Sequence, residues 1–176
     1  SGPLVTVLRR LLKQYLKKAL LANTSPSLRV GTRVRGVRQP VRGLLELAGA
    51  IKCSTGRSAL AYMMYGCYCG LGGQGWPRDR ADWCCHRHDC CYGDAERFGC
   101  HTKTDQYRWK CEEKTVACGK ASFFNNLFLL CKCDMEAARC LRRAPFSQKY
   151  AMWPDFLCGY KQPTCNIYSL NVPLCK

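Results

Sequence analysis

Acidic residues are scarce in this sequence. Its 176 residues hold 12 Asp plus Glu against 28 Lys plus Arg, a formal net charge of +16. The first 42 residues contain no acid at all, and the first 52 contain no cysteine. No apolar run approaches the roughly 18–20 residues of a membrane-spanning helix, which excludes an integral helical membrane protein. There is no internal repeat. There is no G-x-S-x-G stretch either, so the sequence does not advertise a serine nucleophile. A hydrophobic content of 47% with 11% aromatics excludes a wholly disordered chain.

What is abundant is cysteine. All 16 cysteines lie between Cys53 and Cys175, a density near that of a disulfide scaffold. So many thiols point to an oxidising compartment, because cytosolic reductants would keep them reduced. The chain is therefore expected to be secreted and extracellular. Its early leucine run is broken by Arg9, Arg10 and Lys13, so a leader peptide is expected to be already missing from this form.

Charge and cysteine divide the chain at the same place. Residues 1–42 carry ten bases and no acid, whereas residues 43–176 carry 18 bases and 12 acids. This predicts a basic tail, 1–42, attached to a stapled domain, 43–176. Within the tail, Leu8, Leu11, Leu12, Tyr15, Leu16, Ala19 and Leu20 recur at helical spacing, predicting an amphipathic helix over Leu4–Leu21. Such a helix suits an anionic membrane surface. It equally suits a propeptide that is removed, with basic processing points at Arg35–Arg38 and at the Arg42–Gly43 bond. Asn23-Thr24-Ser25 is a glycosylation sequon.

In the stapled domain, helices are predicted at Gly43–Ile51, Asp79–Phe98 and Phe123–Arg143. A small hairpin fits between Cys100 and Cys118. Tyr65–Gly75 has five glycines in eleven residues and reads as a loop. The chemistry concentrates in Trp83–Tyr92. On a helix, Cys84, His88, Cys91 and Tyr92 share one face, with Cys85 and Asp89 beside it. A His next to an Asp suits a general base beside a hard cation, since the carboxylate ligates calcium and the imidazole accepts a proton near neutral pH. Calcium takes about 6–8 oxygens, more than one carboxylate supplies. Carbonyls of the glycine loop are available for the rest. Asp134, in Cys131-Lys132-Cys133-Asp134, is a candidate to accept a hydrogen bond from the second nitrogen of His88 and fix its tautomer, the alternative being a solvated helix charge. Zinc is the competing cation, but adjacent Cys pairs are not its usual C-x-x-C spacing. His86 and His101 read as surface residues.

Tyr65–Gly73, Cys84–Tyr92 and Cys131–Asp134 together resemble the secreted calcium-dependent phospholipases A2, over about Gly43 to Cys165. The opening Gly43–Gly49 with Cys53 is most similar to their group X subtype. The resemblance implies a mainly α, disulfide-rich fold. Its parts are two long antiparallel helices, a short N-terminal helix, a calcium loop and a small β-wing. It also implies Ca2+ as cofactor, held by the carbonyls of Tyr68, Gly70 and Gly72 and the carboxylate of Asp89. His88 matches the general base and Asp134 the acid that orients it. Tyr92 and Tyr107 match the tyrosines hydrogen-bonded to that acid, and the N–H of Gly70 matches a donor to the reacting oxygen. The implied activity is hydrolysis of the sn-2 ester of glycerophospholipids at membrane interfaces. The family pattern pairs Cys53–Cys111, Cys67–Cys158, Cys69–Cys85, Cys84–Cys140, Cys90–Cys165, Cys91–Cys133 and Cys118–Cys131. Cys100 departs from it, because Asn126 stands where its usual partner would be. A bridge from Cys100 to Cys175, in the C-terminal extension, and two open thiols are the alternatives.

Leu44, Leu45, Leu60, Met63, Met64, Leu71 and Trp76 flank the motifs, as a ring around a channel mouth or as core. The surplus charge favours an anionic phospholipid bilayer and suits heparan sulfate. No aromatic–basic interleaving argues for specific nucleic-acid binding. A monomer is expected. Two other classes remain open. One is a noncatalytic receptor- or surface-binding scaffold of the same fold. The other is a cationic membrane-disrupting protein acting through Leu4–Leu21.

Overall fold

A computed structural model of the chain describes residues 42–70, 72–119 and 127–168. The predicted tail helix, the processing points up to Val41, Leu71, Asn126 and Cys175 lie outside the described residues. Three helices form the body: α1, Arg42–Thr55; α2, Arg80–Arg97; and α3, Leu127–Arg143. A two-stranded antiparallel sheet joins β1, Trp109–Glu112, to β2, Thr115–Cys118. The fold is the mainly α, disulfide-rich one expected.

Helix α2 starts where its sequence says it should. Asp79 is the N-cap, and its carboxylate accepts from the Asp82 N–H, which satisfies one of the donors a helix start leaves over. The helix thus begins one residue after the predicted start. Helix α1 runs four residues beyond the predicted Ile51, to Thr55. There the Thr55 hydroxyl donates back to the Ile51 carbonyl, Lys52 Nζ donates to the Gly56 carbonyl, and Gly56 turns to φ +72°. These are the ordinary ways of ending a helix.

Helices α1 and α2 both pack on α3. Two disulfides set the α2–α3 register, Cys84–Cys140 and Cys91–Cys133. As one helix ascends by seven residues the other descends by seven, so the helices are antiparallel. Seven residues is about two helical turns, or roughly 10 Å. The two clamps therefore bracket one helix-to-helix interface between them. The remaining bridges tie the periphery to this pair. Cys53–Cys111 and Cys118–Cys131 fix the hairpin to α1 and α3, and Cys69–Cys85 and Cys67–Cys158 hold the glycine loop. Cys90–Cys165 holds the chain after α3. All seven implied pairs are formed. Cys100 is buried, and its alternatives involve Cys175.

The loop between α1 and α2 is organised by Asp82, a fully buried side chain. Its Oδ2 accepts from the N–H groups of Cys67 and Arg78, and its Oδ1 from that of Tyr68, each at 2.8 Å. Burial pushes this carboxyl up from its ordinary range, against the pull of the three N–H groups. Gly66 is required here twice over. Its φ is +58°, and a Cβ would lie 2.3 Å from the Asp82 carboxyl carbon. The sequence reading gave Asp82 no role, because nothing local marks a carboxylate two of whose three partners lie 14 and 15 residues away.

Asp82→Ala leaves those N–H groups without their acceptor. It is expected to destabilise the oxidised protein by at least about 2 kcal/mol. Guanidinium unfolding under non-reducing conditions measures this, and an unchanged midpoint would show that Asp82 does not organise the loop.

Candidate active site

His88 and Asp134 lie between the two disulfide clamps, on facing surfaces of α2 and α3. The imidazole Nε2 is 2.7 Å from Asp134 Oδ1, with the histidine 9% exposed and the aspartate fully buried. A carboxylate accepts only, so this bond assigns the ring proton to Nε2 and leaves Nδ1 as the acceptor nitrogen. The sequence expected this contact, and the structure brings the two residues together.

Two phenols complete the surroundings of Asp134. The Tyr92 hydroxyl donates to Oδ1 at 2.7 Å, and the Tyr107 hydroxyl donates to Oδ2. Tyr92 follows His88 by one helical turn and packs against its ring at a tilt of 47°, centroids 4.1 Å apart. Tyr107 arrives from the segment before β1. Burial, and then the Asp134 charge, push both phenols well above their ordinary range. They therefore stay protonated and act as donors. The carboxylate thus receives three donors in a site closed to water, where each bond is stronger than on a surface.

On its other side His88 faces an apolar cleft of about 110 Å³. Leu44, Leu47, Ala48 and Ile51 of α1 form one wall, Met63 and Tyr62 another, and Ala137 and Leu141 of α3 a third. Cys69, Gly70, Tyr68 and Asp89 complete it around the histidine. Of the flanking hydrophobics named from sequence, Leu44 and Met63 line the cleft. Met64 and Trp76 are exposed, Leu45 and Leu60 are half-buried away from the lining, and Leu71 is outside the described residues.

Of the loop residues implied as ligands, Tyr68 and Gly70 line the cleft and Gly72 does not. Gly70 and Gly72 hold φ of +122° and +63°, backbone that a side chain opposes. Gly70 and Tyr68 share the cleft with Asp89. Tyr68 is buried and donates its hydroxyl to the Gly75 carbonyl at 2.7 Å. Its pKa is raised to about 12 by burial first, then by the Asp82 and Asp89 charges. Asp89 is thus close enough to the loop to be felt by it. Asp89 and the backbone of Tyr68 and Gly70, which line the same cleft, offer oxygen donors, of the kind a hard cation such as Ca2+ takes. These residues fit the ion that the sequence implied.

His86 corrects the sequence reading. It is 3% exposed, not a surface residue. Its Nε2 is 3.3 Å from the Pro163 carbonyl and its Nδ1 is 2.8 Å from the Tyr168 hydroxyl. The carbonyl can only accept, so Nε2 carries the proton and Tyr168 donates to Nδ1. The Tyr68 ring meets His86 edge-on at 4.6 Å. His86 therefore links the chain after α3 to the loop beside the cleft. Burial lowers its pKa. His101 is exposed, as expected. The zinc alternative fails at its best cluster. His86, Cys90 and Cys165 converge, but the two cysteines are bonded to each other and offer no thiolate.

Comparison with known proteins agrees with this geometry. The phospholipase A2 family model matches residues 44–151. A phospholipase A2 of Meiacanthus atrodorsalis is 65% identical over 127 residues, 72% of this chain and 82% of its own length. The human group 10 secretory phospholipase A2 is 50% identical over 137 residues, 77% of this chain and 82% of its own. The human group IIE secretory phospholipase A2 is 44% identical over 124 residues, covering 69% and 86%. With its fold and with this cleft, the chain belongs to the phospholipase A2 family.

The two phenols are not equivalent. Tyr92→Phe leaves Oδ1 the imidazole as partner, whereas Tyr107→Phe strips the donor from Oδ2. Tyr107→Phe is expected to cost about 1–3 kcal/mol and Tyr92→Phe less, read by denaturant unfolding. The reverse order would show that Asp134 does not depend on Tyr107.

Proposed function

We propose that this secreted protein hydrolyses the sn-2 ester of glycerophospholipids at membrane surfaces, releasing a fatty acid and a lysophospholipid. The observation that carries the reading is His88. Its Nε2 is bound to a buried carboxylate, and its ring lines an apolar cleft that also holds Asp89 and Gly70. Nδ1 of His88 takes a proton from water as that water attacks the ester. General base catalysis of this kind contributes about 10²–10⁴-fold. Asp134 holds the ring in the tautomer that makes Nδ1 basic, and stabilises the imidazolium that forms. Tyr92 and Tyr107 hold Asp134. The apolar walls receive the acyl chain and exclude bulk water.

The Tyr68, Gly70 and Gly72 carbonyls and the Asp89 carboxylate would hold Ca2+. When bound, the ion supplies Lewis-acid polarisation of the ester carbonyl. The Gly70 N–H serves as a further donor to that oxygen as negative charge gathers on it. The stapled fold, residues 43–176, carries this chemistry, and residues 1–42 act as a removable tail. The surplus positive charge draws the protein to anionic bilayers, by roughly 1 kcal/mol for each well-placed base. It also suits a sulfated polysaccharide such as heparan sulfate.

His88→Gln removes the base and keeps the polar contact with Asp134. Hydrolysis of mixed phospholipid vesicles is expected to fall by at least about 100-fold, with calcium binding by calorimetry unchanged. Near-wild-type turnover would refute the mechanism. Asp89→Lys places an ammonium in the proposed ion site, and calorimetric calcium binding should disappear with activity. Retained affinity would identify another ligand.

The tail generates a separate expectation. Gly43 lies inside α1, is buried, and its N–H donates to the Lys103 carbonyl at 3.2 Å. Cleavage after Arg42 gives that nitrogen a charge and frees the helix start beside the Leu44 wall of the cleft. Turnover on vesicles is expected to rise on cleavage. Equal rates for residues 1–176 and 43–176 would argue against an inhibitory tail.

A further inference from the structure

A second concavity lies on the same two helices, away from the cleft. It is a groove of about 440 Å³ lined by Arg80 and Arg87 of α2, Arg139 and Arg143 of α3, and Glu136. Its floor is Cys84 and Cys140, which are bonded to each other. Adjacent cysteines separate the two sites. Cys84 lines the groove and Cys85 the cleft. At 3.6 residues per turn, the groove residues of α2 point about 120° away from Cys85, His88 and Asp89, and those of α3 a similar angle from Ala137 and Leu141.

All four arginines are exposed, so none is committed to the core. Arg87 meets Glu136 at 3.1 Å and its guanidinium also sits 5.7 Å from the Tyr168 ring centroid. With one acid among four guanidiniums, the groove keeps a local surplus of positive charge. Guanidiniums present planar forks that match sulfate and carboxylate oxygens two at a time, which lysines do not. The disulfide floor fixes the spacing of the two helices from which the arginine pairs project.

We infer that this groove is a docking site for a linear sulfated polysaccharide, and that it holds such a chain while the cleft faces a bilayer. This rests on the sulfated-polysaccharide reading given above and assigns it a place. A bilayer is the less suitable occupant. A flat surface pressed on the groove would turn the cleft, about 120° away on the helices, off the membrane that supplies its substrate. A polysaccharide chain fits the groove without that conflict.

The test uses the full chain and a heparin octasaccharide. Arginine modification by phenylglyoxal is mapped by peptide mass spectrometry, with and without the oligosaccharide. Arg80, Arg139 and Arg143 are expected to become several-fold less reactive. Arg139→Gln with Arg143→Gln should weaken binding about tenfold and lower the slope of log affinity against log salt by about 2. Lys110→Gln with Lys161→Gln, an equal charge change on other exposed residues, should weaken it less than about twofold. Glu136→Gln, which releases Arg87, should strengthen it. Hydrolysis of zwitterionic vesicles should stay unchanged in all of these variants.

Three outcomes overturn the assignment. Protection confined to the arginines of residues 1–42 leaves the chain a polysaccharide binder through its tail and removes the groove from the account. Absence of protection anywhere overturns both the site and the reading it rests on. Protection of the groove by phosphatidylserine vesicles but not by the octasaccharide assigns the groove to a membrane instead.

Discussion

The hydrogen bond from His88 Nε2 to Asp134 Oδ1 joins two helices that are also clamped by two disulfides. It lies between Cys84–Cys140 and Cys91–Cys133, within a stretch of roughly two turns. A register slip between α2 and α3 would break it, and a slip is what two covalent rungs forbid. Buried polar contacts of this kind are costly when half made. Here the carboxylate receives an imidazole and two phenols, so ordering the imidazole and satisfying a buried carboxylate are the same act. The apolar cleft follows from the same constraint, because α1 packs on α3 and leaves the cleft against the face of α2 that carries His88 and Asp89.

The loop opposite that base has a different origin of order. Its backbone has little regular structure and its glycines resist none, so rigidity comes from outside it. Cys67 and Cys69 are bonded to Cys158 and Cys85, and Asp82 accepts the N–H groups at 67, 68 and 78. An ion site built from backbone carbonyls needs this, since carbonyls on a fluctuating loop would have to be ordered at the expense of binding. His86 adds a third hold through the Tyr68 ring and carries it to the chain after α3. The loop is thus positioned by α2, by its own disulfides and by a segment roughly a hundred residues later in sequence.

Those differences account for what the sequence made legible. The helix bearing His88 and Asp89 was readable because its cysteine pairs and polar residues fall on one face at helical spacing. Its partner Asp134 was readable because it sits beside a cysteine on a second helical stretch. The disulfide pairing came from family resemblance, since seven bridges among so many cysteines are beyond local pattern. Asp82 and His86 were not legible in their true roles. Each is a polar residue that local reasoning assigns to solvent, and each is buried by partners distant in sequence. Helix ends shifted for a related reason: Thr55 and Lys52 close α1 by contacts with backbone just beside them, which apolar periodicity does not register.

Two consecutive cysteines on α2 show how the two halves of the surface are kept apart. Cys85 bonds to the glycine loop and lines the cleft, while Cys84 bonds to α3 and floors the arginine groove. A helix turns by about 100° between neighbours, so adjacent sulfurs necessarily serve different faces. The chemistry sorts accordingly. Apolar side chains and the one carboxylate proposed for calcium gather on the first face, and guanidiniums gather on the second. Placing the guanidiniums beside the cleft would have set fixed positive charge against a cation site and weakened it, since opposing terms of this kind act over several ångströms in a partly desolvated setting. On the outer face of the same pair, the positive charge stands clear of Asp89 and of the proposed ion site. The same two helices therefore carry a cationic surface and the proposed cation site, joined by the covalent rungs between them.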